Sequence, residues 1–100
     1  MEKMMNIVTA QQPLTQSVDG GQHFTATQMI IPPDMIMERT FLETPIKSVV
    51  YVERGTLLVY EGDTIIERIR PGAQFKVEKG AQYKFGSNDR GVSCLELYKK

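Results

Sequence analysis

Between residues 48 and 85 the chain alternates short apolar runs with glycine-bearing breaks: SVVYVERGTLLVYEGDTIIERIRPGAQFKVEKGAQYKF. The runs at 49–52, 57–60, 65–69, 75–77 and 83–85 are rich in β-branched and aromatic residues, which suit a pleated, half-buried surface. The breaks, Arg54-Gly55, Glu61-Gly62-Asp63, Pro71-Gly72 and Lys79-Gly80, supply the residues that tight turns need. The pattern predicts a meander of strands, with Glu61-Gly62-Asp63 turning a hairpin between 56–60 and 64–70. Over 49–52 both faces are apolar, so the outer side of the sheet there must be covered, by the N-terminal segment or by a second subunit.

Upstream, HFTATQMII at 23–31 reads as a first firm strand, and Pro32-Pro33-Asp34 ends it because proline cannot donate to a ladder. MIMERTFLE at 35–43 alternates and lies between Pro33 and Pro45, which favours a strand over a helix. Ile36, Glu38, Thr40 and Leu42 would share one face, and Met35, Met37, Arg39 and Phe41 the other. After a polar loop at 86–91 comes a closing strand, 92–98, with Leu95 and Leu97 facing one way and Cys94, Glu96 and Tyr98 the other. Residues 1–21 stand apart as an N-terminal segment. They form either a loosely docked tail or a short strand pairing with the main sheet or with a partner subunit, and the apolar patch at 4–8, if ordered, must lie on something apolar. Residues 22–100 then make one barrel domain. Eight or nine short strands with no convincing helix predict an all-β fold, a jelly roll or closed double-stranded β-barrel.

A chain of 100 residues is one domain, able to bury roughly two thirds of the surface its unfolded form exposes. Twelve basic and twelve acidic residues cancel without forming a long block, which argues against nucleic acid or an anionic membrane as partner. Cys94 is the only cysteine, so neither an intramolecular disulfide nor a cysteine-based zinc cluster is possible. No basic start precedes a long apolar run, and no run approaches the roughly 20 residues that span a bilayer. A soluble cytoplasmic protein is the expectation.

YVERG at 51–55 resembles the end of the first sequence motif of the cupin family, and Gly72, Glu78-Lys79-Gly80 and Tyr83 fall at the spacings of its second. The resemblance covers about residues 35 to 98. Metal-binding members hold a divalent ion with three imidazoles and a carboxylate. The resemblance puts Leu42, Thr44, Ser48 and Tyr83 at those four positions, none a usual ligand, and His23 is the sole histidine. It therefore implies a cupin barrel without metal or other cofactor. By the family's inward positions Glu38, Thr40, Leu42, Thr44, Ser48, Tyr83 and Phe85 would line the cavity, a mixture of apolar walls and a few polar groups typical of small-molecule sites. Of these, Glu38, Thr40, Thr44, Ser48, Tyr83 and Phe85 are the expected ligand-binding residues. Glu38 pointing inward would suit a general base or a ligand anchor; a register one residue off would turn it to the surface and bring Arg39 in.

A narrower similarity is to the small, metal-free pyrimidine/purine nucleoside phosphorylases. It lies in RTFLETPIKSVVYVERGTLLV (39–59) and in PGAQFKVEKGAQYKF followed by Cys94 and Tyr98, although basic Lys47 stands where that family has an acid. Phosphorolysis needs a phosphate clamp, for which Arg39, Arg54 and Lys47 are candidates, and a group to meet the sugar, for which Glu38 is the candidate. No complete catalytic motif is present. Three functions stay open: a metal-independent module binding a small polar organic ligand in the barrel mouth, a nucleoside phosphorylase using phosphate, and a structural or interaction protein with a filled barrel. A homodimer is expected in each case, from the two-sided apolar strand at 48–54 and from Met35, Met37 and Phe41 on the expected outer face.

Overall fold

The computed structural model of the chain describes residues 11–40, 48–78 and 80–99. Their architecture follows from two long strands that each serve two sheets. β4 (Val49–Glu61) and β7 (Gln82–Lys99) pair antiparallel along most of their length. Their register shifts twice, between Val52 and Arg54 and between Gly55 and Leu57, and such bulges bend a ladder and sharpen its twist. Gly55 stands at this corner with φ of 77°, and Gly91 faces it with φ of 74°. A β-carbon on Gly55 would collide with the carbonyl oxygen of Gly91, so only glycine permits this approach.

On one side of the corner β1 (Leu14–Val18), β2 (Phe24–Ile31), the C-terminal half of β7, the N-terminal half of β4 and β6 (Gln74–Lys76) make one wall. On the other, β3 (Ile36–Thr40), the N-terminal half of β7, the C-terminal half of β4 and β5 (Thr64–Ile69) make the second. The two walls enclose one core of Met29, Ile31, Val50, Val52, Leu57, Val59, Ile69, Val77, Tyr83, Phe85, Val92 and Cys94. Phe75 bridges them, edge-on to Tyr83 at 5.1 Å and to Phe85 at 6.3 Å. The result is the expected all-β, double-walled barrel of jelly-roll type.

Three expectations are corrected. Arg54-Gly55 and residues 86–91 read as breaks but lie inside β4 and β7, so that each is one long strand where the pattern divides it in two. β3 is a strand, yet its faces are reversed: Met35 and Met37 pack on the core, whereas Ile36 is 52% exposed and Glu38 is exposed. Met35 and Met37 thus offer no outer apolar face. Residues 4–8, Phe41, Leu42, Thr44 and Lys47 lie outside the described residues. β1, between Pro13 and Asp19-Gly20, pairs with β2 over its whole length. Among the described residues no helix is long and apolar enough to cross a membrane.

Candidate functional site

Burial along the inner face falls off in one direction. On β2, Ile31 and Met29 are buried, Thr27 is half-buried and Thr25 is exposed; on β7, Val92, Cys94 and Glu96 are buried and Tyr98 is half-buried. These residues are register partners, Thr27 with Glu96 and Thr25 with Tyr98. The inner face is fully buried near the corner and gains exposure toward Thr25 and Tyr98.

A polar cluster sits on that gradient. Arg39 of β3 lies opposite Tyr83 in register, so its side chain shares the inner face of that wall. Its Nε donates to Glu96 Oε2 at 2.8 Å and its Nη2 to Oε1 at 2.6 Å. Tyr98 donates its hydroxyl to the same Oε1 at 2.9 Å. Glu96 is fully buried, while 27% of the Arg39 side chain is exposed. A buried carboxylate is tolerable only with partners of this kind, and three donors converge on it here. The bond to Glu96, against the opposing effect of burial, holds the Arg39 pKa above its ordinary value. Burial, followed by the adjacent Glu96 charge, pushes the Tyr98 phenol up to about 12, so Tyr98 serves as a neutral donor and not as a base. Cys94, one register step deeper, has its thiol pushed upward by burial, then by Glu53 and Glu96; it is packing, not a nucleophile.

The expected site residues divide. Ser48, Tyr83 and Phe85 are buried; Tyr83 stacks on Phe85 at 5.8 Å, and the Ser48 carbonyl accepts a bond from the Val77 amide. Glu38 does not line the cavity. It faces outward, accepts a hydrogen bond from Gln82 Nε2 at 3.1 Å and borders a shallow groove of about 210 Å³ with Gly62, Gln82, Tyr83 and Lys84. The cause is the one-residue register: Arg39 takes the inward place because buried Glu96 supplies its counter-charge. Thr40 occupies the last position of β3, and Thr44 lies outside the described residues. Arg54 and His23 are exposed. Glu96 and Tyr98 were absent from the expected site. Their signal was present in the closing strand, where an acid shares a face with Cys94 between leucines.

Solved structures of similar shape decide the family of folds. A domain of an XRE-family transcriptional regulator from Enterobacter cloacae, a cupin domain, matches with a TM-score of 0.71 at 16% identity, over 87% of this chain and 95% of that one. The fold is that of the cupins. KdgF from a Halomonas species matches with a TM-score of 0.68 at 12% identity, over 91% of this chain and 81% of its own. A cupin domain from Bordetella pertussis matches at 0.66 and 14% identity, over 98% and 99% of the two chains. At these identities the likeness speaks for the fold alone. No family model and no curated protein matches the chain.

The cupin fold raises the question of a divalent ion, and the described residues do not fit one. At the described ligand positions stand Ser48, a buried hydroxyl, and Tyr83, whose ring is packed between Phe75 and Phe85, neither a usual ligand for such an ion. The interior beside Tyr83 also carries the Arg39 guanidinium, a positive charge that disfavours a bound cation. Among the described residues no three His, Cys, Asp or Glu side chains come together to hold a metal.

Proposed function

We propose that the chain is a metal-independent cupin that binds a small polar organic ligand in the barrel mouth. The observation that carries this reading is the Arg39–Glu96–Tyr98 cluster, a set of fixed polar groups at the more exposed end of an otherwise apolar interior. Such a lining, mostly apolar with a few oriented donors and acceptors, is what small-molecule sites use. Glu96 has the burial and Arg39 the access: one holds the group, the other meets the solvent. Nucleoside phosphorolysis draws no support from Glu38, the carboxylate assigned to the sugar, because it faces outward.

The reading includes a homodimer. Val49 and Tyr51 of β4 stand in register with Leu97 and Leu95 of β7 on the outer face, all half-buried, a contiguous apolar strip that a second copy would cover. It also includes a cytoplasmic setting, in keeping with a single cysteine.

A thermal-shift screen against sugars, nucleosides, nucleotides and organic acids, with and without phosphate and divalent metals, tests the binding reading, since a ligand of the native state raises the midpoint by mass action. Stabilisation by one chemical class without metal supports it. Stabilisation by metal alone contradicts it. Light scattering behind a size-exclusion column tests the dimer, which a monomer at micromolar concentration would rule out.

A further inference from the structure

On the outer face of the second wall, away from the barrel interior, the groove beside Glu38 is built by three separate pieces of chain. Glu38 of β3 stands opposite Lys84 of β7 in register, Gln82 lies on the same face of β7, and Gly62 belongs to the hairpin turn between β4 and β5. Asp63 of that turn has its Oδ1 3.7 Å from Lys84 Nζ. The Tyr83 ring is turned inward onto Phe85, so it presents main chain to the groove.

The polar atoms here are only partly used. Gln82 Nε2 donates to Glu38 Oε1, which leaves Glu38 Oε2 and the Gln82 carbonyl oxygen as acceptors. Lys84 brings three donors, and its ion pair is with Asp63, not with Glu38, its register partner. Tyr60 is the other register neighbour of Lys84. Its ring lies low over Gly86, where a β-carbon would come within 2.9 Å of Cε1, and it flanks the groove as an aromatic surface.

Charge selects against ions as occupants. An anion meets the carboxylates of Glu38 and Asp63, and a cation meets the Lys84 ammonium. These groups are exposed, and charges at a surface are screened and worth little. A hydroxyl both donates and accepts, so a neutral ring bearing several of them satisfies Glu38, Gln82 and Lys84 together. At about 210 Å³ the groove is smaller than the roughly 300–1,000 Å³ of sites for drug-sized ligands, which limits the occupant to a single ring. We propose that this groove is a second binding site, separate from the barrel mouth, for a neutral polyhydroxylated ring, a monosaccharide or cyclitol. Glu38 and Gln82 accept from its hydroxyls, Lys84 donates to them, and Tyr60 packs against its C–H face.

The test titrates the nitrogen-labelled full chain with glucose, galactose, mannose and myo-inositol, and with acetate, ethylamine and glycine as charged counterparts, following the backbone amides by NMR. At least one neutral ring should shift Gly62, Gln82 and Lys84 saturably, with a dissociation constant on the order of 1 mM for so open a site, and about tenfold more tightly than any charged probe. Glu38→Ala and Lys84→Ala change exposed side chains, so folding is retained, and each should weaken that ring about fivefold. Tyr60→Leu should weaken it severalfold. Unchanged affinity in all three variants, or a preference for acetate, ethylamine or glycine, would overturn the assignment. Shifts confined to Glu96 and Tyr98 would put the sugar in the barrel mouth, overturning the groove site while supporting the separate reading of the barrel. Absence of saturable shifts at the groove with all four rings would overturn it whatever the barrel-mouth screen yields.

Discussion

Arg39 and Glu96, 57 residues apart in the chain, join the two walls of the barrel through a two-point ion pair at 2.8 and 2.6 Å. The pair lies away from the corner at Gly55 and Gly91, so it ties the walls where they would otherwise splay. Removing one partner from such a pair leaves an uncompensated buried charge, whereas replacing both by apolar residues removes the problem. Arg39→Met should therefore destabilise the fold by about 3 kcal/mol in urea denaturation, at the low end of the range for buried pairs because the arginine is partly exposed. The double variant Arg39→Met with Glu96→Leu should recover most of that loss. A loss below about 1 kcal/mol for the single variant would show that Glu96 finds other partners.

Tyr98 gives a pH dependence with a definite sign. Its pKa rises from an ordinary value of 10 to about 12 on folding, chiefly through burial and the neighbouring Glu96. The folded state thus holds the phenolic proton more tightly than the unfolded one. This contribution is complete below pH 10 and is lost as the pH climbs toward 12. Chemical denaturation in steps above pH 9 should show stability falling more steeply for the native chain than for Tyr98→Phe. Parallel profiles would remove Tyr98 as the titrating group.

Cys94 should be chemically silent in the native state. It is fully buried, and burial with Glu53 and Glu96 nearby opposes thiolate formation. A thiol of this kind reacts only when the chain opens. Labelling with a disulfide reagent should be slow between pH 7 and 9, become fast in denaturant, and scale with destabilising substitutions elsewhere. Rapid native-state labelling that rises tenfold per pH unit would contradict the burial.

The corner separates two kinds of glycine. Gly55 and Gly62 both have positive φ, 77° and 63°, but a β-carbon on Gly55 runs into Gly91 and lies 2.9 Å from the Val92 Cα, whereas nothing lies within 4 Å at Gly62. Gly62→Ala should cost about 1 kcal/mol from backbone strain alone. Gly55→Ala should cost about 3 kcal/mol or more, because strain and a backbone collision combine. Equal midpoints for the two variants would place the bend elsewhere.

Local chemistry made some of this legible and concealed the rest. The strands at 23–31 and 64–69 were readable because each carries its own apolar pattern and turn residues. Gly55 and Gly91 mislead, since a glycine at a tight turn and a glycine inside a bent strand look the same in sequence; the difference is the facing strand, where Gly55 pairs with Val92. The reversal of β3 has a similar origin. IMERT alternates equally well in either sense, and only the distant Glu96 makes the arginine face the cheaper one to bury. The β-barrel was therefore visible from the pattern and its cupin type from a resemblance, while the polar cluster inside depended on a contact that no local window contains.

In the proposed reading the ligand meets the barrel at the Arg39–Glu96–Tyr98 cluster. The most direct measurement is side-chain nitrogen NMR of the guanidinium, following the Arg39 Nε resonance while a stabilising ligand is added. The predicted result is a resolved, slowly exchanging Nε signal in the free protein that moves on binding together with Tyr98, with no change on the outer strip of Val49, Tyr51, Leu95 and Leu97. Shifts confined to that outer strip, with Arg39 unmoved, would contradict it.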